Sequence, residues 1–229
     1  MTANWQWKDV GEAAGIVERM CPVILGTSPG LGAAAGAQFR QTVGDLAAHA
    51  ADYIVDGTLT HRVVICLTLA RMCGATMLTL ARVRDAALLE EPQGLIATAT
   101  KFMFACISLA QESIASTSQT YPSRNDANAA KAVMMAAFEK VEEDVPDALD
   151  QATYMAMVAM HGRVARQFYE MQLTLPRIIS YHSPVTLPSL KMSQSAYGDA
   201  THSDELWREN KVVHPAFMPR DGIMLSTEG

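Results

Sequence analysis

From Val10 to about Leu173 apolar residues recur at helical spacing with few interruptions, and after Leu175 that rhythm stops. A stretch of this kind can bury its apolar stripe only by folding helix against helix. Phe39, Val43, Leu46, Ala50, Tyr53 and Ile54 illustrate the spacing. Composition agrees: aromatics are only 7% while Ala, Met and Leu abound, and such side chains lose little rotamer freedom in a helical turn. The breaks predict the segmentation. A first helix over about Val10–Met20 should stop at Pro22, and a Gly-rich bend follows at Gly26–Gly32. Helices are then expected over Ala33–Val55, Leu59–Glu91, Leu95–Ser116, from the Ser123/Asp126 start to about Glu143, and from the Asp144–Asp147 turn to about Leu173.

The last 50 or so residues read differently. Pro176–Tyr181 and Gly222–Leu225 have the character of short strands, and Leu187–Tyr197 and Ser203–Asn210 that of short helices, the second capped by Thr201 or Ser203. Gly198 suits the left-handed conformation that ends a helix. Leu206 lies on the face that must cover the strands, and Asn210 stands where a side-chain amide can fix the turn. A pair of strands is marginal alone and needs those helices on one face. The fold class expected is therefore mostly α: a helical bundle body (1–174) followed by a small α+β module (175–229).

This strand–helix–helix–strand ending resembles a LysM domain. The likeness rests on Arg177–Tyr181, Leu187-x-x-Leu190, Tyr197-Gly198-Asp199, Asp204-Glu205-Leu206-Trp207-x-x-Asn210 and Pro219-x-x-Gly222-Ile-x-Leu225. A longer set of motifs is similar to the C-terminal region of the Mu-like prophage DNA-circularisation protein family. It comprises Tyr121-Pro-Ser-Arg-Asn-Asp, Leu175-Pro-Arg-Ile-Ile-Ser-Tyr, Thr186-Leu-Pro-Ser-Leu, Tyr197-Gly-Asp-Ala-Thr-His-Ser-Asp-Glu-Leu and Glu209–Pro219, spread over Tyr121–Ser226. The resemblance implies a phage tail or baseplate component near the central hub, in contact with hub, tube or tape-measure protein and with itself as a ring-like oligomer. It would reside in the virion, and in the host cytoplasm during assembly. Members of that family usually carry an additional N-terminal β-rich domain. Here Trp5 and Trp7 lead directly into a helical pattern, so that domain's role is not carried over. As interaction residues the resemblance points to Tyr197, Gly198, Asp199, Trp207, Asn210 and Pro219. Trp207 could stack on a sugar, which makes a peptidoglycan-binding module the alternative; packing between helix and sheet is its expected role.

Other function classes lose their support residue by residue. With 18 basic against 24 acidic residues the net charge is −6, the wrong sign for neutralising phosphates, so no nucleic acid is expected as a partner. No membrane span is expected either, since Arg71 interrupts the most apolar run, Val63–Ala81. Cys21, Cys66, Cys73 and Cys106 sit in apolar stretches without a C-x-x-C pair and read as core thiols. Gly26-x-x-x-Gly30-x-Gly32 has the spacing of a dinucleotide loop, but helices rather than alternating strands follow it. The histidines lack zinc spacing, and the acids from Glu139 to Asp150 straddle a helix junction. No catalytic residues, metal ligands or cofactor are expected, and the chain is not read as an enzyme. Clustered methionines such as Met134, Met135, Met155, Met157 and Met160 suit either an adaptable core or an interface that repacks.

Overall fold

The computed structural model describes residues 3–28, 34–144 and 151–226. It is 72% helical, with ten helices and a two-stranded antiparallel sheet among those residues. The helices are α1 (Ala3–Leu25), α2 (Ala34–Ala48), α3 (Ala50–Val55), α4 (Leu59–Met72), α5 (Met77–Leu88), α6 (Leu95–Ser118), α7 (Arg124–Asp144) and α8 (Gln151–Thr174), then α9 (Ser189–Tyr197) and α10 (Ser203–Glu209) between strands β1 (Ile178–His182) and β2 (Asp221–Leu225). The chain divides into two compact units, Met1–Gln119 with Ala132–Ala165, and Thr120–Lys131 with Arg166–Gly229.

Several helix boundaries depart from the sequence expectation: α1 begins at Ala3 rather than near Val10, and the single run expected over Ala33–Val55 breaks at His49 into α2 and α3. Pro22 lies inside α1 rather than after it. The apolar stripe of Val17, Met20 and Cys21 continues to the fully enclosed Ile24, and that burial outweighs the one backbone bond a proline forgoes. The single run expected over Leu59–Glu91 is two helices. Gly74 takes φ 95, and Thr76 opens α5 with a reciprocal cap to Thr79. The Gly-rich bend is described only as far as Ser28, and the helix start expected at Asp144–Asp147 lies, beyond Asp144, outside the described residues.

In the first unit α6 packs against α1, α4 and α5, and α1 also meets α2 and α3. The core runs through Ile16, Met20, Phe39, Leu46, Leu67, Leu80 and Phe104, with Cys21 and Cys66 buried among them. Desolvation pushes the Cys21 thiol up to about 11 and the Cys66 thiol up to about 12, so both remain protonated apolar packing. Backbone donors at the entry to α6 are met from another helix. Asp9 of α1 accepts from Ile96 N and Ala97 N, each at 3.1 Å, and Glu12 from Gln93 N and Gly94 N at 2.8 and 3.0 Å. Ile96 N and Ala97 N are first-turn donors of the kind a local N-cap usually satisfies.

The second half of α6 turns polar residues inward. Gln111 links Arg71 at 3.0 Å and Thr68 at 3.2 Å. Glu112, 1% exposed, accepts from Arg84 of α5 at 2.5 Å through Oε2. Its Oε1 and the Ser108 hydroxyl one turn away are buried without a hydrogen-bond partner among the described residues. Arg84 also reaches Asp85, which pairs with Lys140 of α7. Burial raises the Glu112 carboxyl to about 8, against the opposing pull of Arg84. No helix among the described residues is long and apolar enough to cross a membrane.

Candidate interaction module

The strand pairing is antiparallel, with Ile179 opposite Met224, Ser180 opposite Ile223 and Tyr181 opposite Gly222. Alternation puts Tyr181, Gly222 and Met224 on one face. There Tyr181 and Met224 pack with Leu187, Tyr197, Trp207 and Val212 around the buried Met192, Leu206 and Met218. Leu206 thus covers the sheet from α10. Gly198 ends α9 at φ 74, a left-handed turn that only glycine enters at little cost.

Side chains complete what this small apolar cluster leaves undone. Asn210, at the end of α10, donates through Nδ2 to Leu206 O at 2.8 Å and Ile223 O at 2.7 Å, and accepts from Ile223 N at 2.8 Å. One amide therefore stops a helix and lines a strand. Tyr197, the last residue of α9, accepts from Leu225 N at 3.0 Å and donates to Glu205 at 3.0 Å. Burial, then that carboxylate, drives its phenol far above the ordinary tyrosine range. Asp199 holds the α9–α10 turn through Thr201, and this contact lowers its carboxyl. Thr201 and Ser203 do not cap α10: its N-cap position is His202, without a side-chain cap, because Thr201 is engaged by Asp199. The close approach of Asn210 and Tyr181 explains Gly222, where a Cβ would lie 2.4 Å from Asn210 Oδ1 and 2.5 Å from the tyrosine ring.

The six residues singled out from sequence therefore have internal contacts. Tyr197, Gly198, Asp199 and Asn210 fix turns and strand β2. Trp207 is half-buried in the apolar cluster, with its indole N–H 3.4 Å from Asp204. The Pro219 carbonyl accepts from the Tyr181 hydroxyl at 3.4 Å. What the sequence reading passed over is a set of exposed apolar side chains at the two segments that join the strands to the helices. Val185 precedes α9 and Leu190 lies in its first turn, while Val213 and Phe217 lie between α10 and β2, with Val213 99% and Phe217 69% exposed. Backbone bonds tie the two segments together, from Ser189 N to Pro215 O at 2.7 Å and from Met218 N to Leu187 O at 3.0 Å. The signal was present in His214-Pro-Ala-Phe-Met-Pro219: two adjacent large apolar residues between prolines cannot both point inward, and Met218 takes the core.

In the first unit Met134 and Met157 are buried and Met155 is exposed. Cys106 Sγ lies 3.2 Å from Met157 Sδ. His161 stacks on Phe138 at 4.7 Å and meets Glu142 at 3.0 Å. Glu139 and Glu143 are exposed. Among the described residues no group of three or more His, Cys, Asp or Glu side chains is placed to hold a metal ion. Neither a protein-family model nor a curated protein matches the chain.

Proposed function

We infer that the chain is a structural component of a phage tail or baseplate. It would hold hub, tube or tape-measure neighbours and further copies of itself in a ring-like oligomer, without catalysing a reaction. The observation that carries this reading is the division of labour in the module. Its polar side chains bind its own backbone, while Val185, Leu190, Val213 and Phe217 present apolar surface at the two tied segments. Exposed apolar surface of this kind marks contact with another macromolecule. The resemblance of its C-terminal motifs to those of the DNA-circularisation family suggests the setting, a tail assembly. A role on DNA itself has no support from the net charge of −6.

The test is deletion of the gene from the phage that encodes it. Electron micrographs of the lysate should then show no complete tails, and complementation should restore them; infective tails made without the protein overturn the reading. The peptidoglycan alternative needs an exposed stacking ring, and Trp207 is instead engaged in the cluster. Retention on insoluble peptidoglycan that is lost in Trp207→Ala would decide for that alternative.

A further inference from the structure

The two outer edges of the β1–β2 sheet are not equivalent. In an antiparallel pair, alternate residues direct both N–H and C=O towards the partner strand and the rest direct them away. Ser183 N donates to Arg220 O, and Ser226 N to Arg177 O, each at 2.7 Å. With the register of Ile179 opposite Met224, these bonds fix the phase: odd-numbered residues of β1 face β2, and Ile178, Ser180 and His182 turn their backbone groups outward. On β2 the outward residues are Asp221, Ile223 and Leu225.

The outer edge of β2 is blocked at Ile223 and Leu225. Ile223 N and O are both taken by the Asn210 amide, and Leu225 N by the Tyr197 hydroxyl. Side chains there stand where a third strand would lie. The outer edge of β1 is closed only where it begins, by Arg124 N on Pro176 O at 3.0 Å. From Ile178 to His182 no hydrogen bond to the outward backbone groups is formed among the described residues, and Ser180 and His182 are exposed. Exposed edges are usually blunted by lysine, proline or a bulge. This stretch contains none of them, and Pro176 and Pro184 merely bracket it.

We propose that the open edge of β1 pairs with β1 of a second copy of this chain, antiparallel about Ser180, to give a four-stranded sheet. In that register Ser180 faces Ser180 of the copy and exchanges both backbone bonds with it, while Ile178 faces His182. No like charges are opposed. Ile179, 42% exposed, comes opposite Tyr181 of the copy on the helix-covered face, an aliphatic–aromatic cross-strand pair that a monomer lacks. Both helices reach the far edge, α9 through Tyr197 and α10 through Asn210. The contact is isologous and two-fold. It is distinct from any ring contact and does not depend on the tail reading. A five-residue edge is small for an interface, so the pair is expected to be weak and concentration-dependent.

Two substitutions test the pairing. Ser180→Pro removes an outward N–H that has no partner among the described residues, and so spares the β1–β2 ladder. Ser180→Lys opposes two like charges at the two-fold axis. Sedimentation equilibrium of the full chain should show mean mass rising from one chain towards two between micromolar and millimolar concentration. Each variant should raise the dissociation constant at least about tenfold, the equivalent of roughly 1.4 kcal/mol, with unchanged melting temperature. Should proline disturb the strand, the lysine variant reads the same contact. Amide exchange at Ser180 should slow with concentration while that at Leu225 stays constant. A chain that remains monomeric at millimolar concentration overturns the proposal, as does a mass increase that both folded variants retain.

Discussion

Phe39, Leu46, Leu67, Leu80, Phe104 and Leu109 are all sealed from solvent in the first unit, whereas the buried apolar cluster of the βααβ module comes down to Met192, Leu206 and Met218. Burial of a large apolar side chain contributes about 1.5–3 kcal/mol. The first unit therefore has many such contributions to set against chain entropy, and the module few. The module relies instead on side chains that bond to its backbone, with Asn210 and Tyr197 closing β2 and Asp199 fixing the turn. In the first unit the same kind of bond occurs, from Asp9 and Glu12 to the start of α6, but as a supplement to a large core. The same loss of a hydrogen bond should thus have unequal consequences in the two regions.

Asn210→Ala should show the largest effect. It removes two donated bonds and one accepted bond, and strands the backbone N–H and C=O of Ile223 at a half-buried edge. At about 1 kcal/mol per bond, with a further penalty for any group left unsatisfied, a loss of roughly 3 kcal/mol is expected. Amide exchange should report the module as open while the amides of α1 and α6 keep their protection. Equal loss of protection in both regions would erase the contrast between them.

A buried charge offers a second way to sharpen it, this time within the first unit. The Glu112 carboxyl titrates at about 8 in the folded chain, above the ordinary value of about 4.3 for glutamate in an unfolded chain. Between those values the folded chain holds a proton that the unfolded chain has released. The associated stabilisation is therefore complete below the unfolded value, declines as pH rises through the window, and is lost above the folded value. The proton also supplies Oε1 with something to donate, and the Ser108 hydroxyl one turn away is an acceptor in want of a donor. Glu112→Gln reproduces the protonated shape. It should flatten the fall of the melting temperature between about pH 5 and pH 8 and stabilise the chain at higher pH. A wild-type profile already flat over that range would remove the buried acid from the account.

How much of this was legible in the sequence varied with the range of the interactions. Gly198, Leu206 and Asn210 could be assigned their places because a helix end, a covering face and a turn are local patterns. The split of the long run at Gly74 and Thr76 was also local, in a glycine followed by Thr-x-x-Thr, but the continuous apolar rhythm of Val63–Ala81 masked it. Pro22 misled for the opposite reason: a strong local stop was overridden by the burial of Ile24. The caps from Asp9 and Glu12 join residues more than eighty positions apart, and spacing in sequence does not record such pairs. The asymmetry of the sheet edges was likewise hidden. It depends on which alternate residues face inward, and a slip of one residue would reverse it.

Those long-range caps provide the smallest of the expected effects and complete the comparison. Asp9→Ala takes the acceptor from Ile96 N and Ala97 N at the first turn of α6, and Asp9 is itself 7% exposed. Loss of an N-cap acceptor costs about 0.5–2 kcal/mol, typically about 1. Glu12 remains to hold Gln93 N and Gly94 N, so the helix start is not wholly uncapped. Gly94→Ala probes the same contact from the other side, because a Cβ there would meet the Asp9 carboxylate. If the carboxylate is what packs there, Asp9→Ala should relieve most of the penalty of Gly94→Ala, and a double-mutant cycle in chemical denaturation measures the coupling. The contrast with Asn210 then becomes quantitative. A capping loss of about 1 kcal/mol should lower the melting temperature of the first unit by a few degrees without opening it, since the core beneath α6 is intact. Additive effects of the two substitutions would mean that the Asp9 carboxylate does not pack against Gly94, leaving Glu12 as the polar tie between α1 and the start of α6.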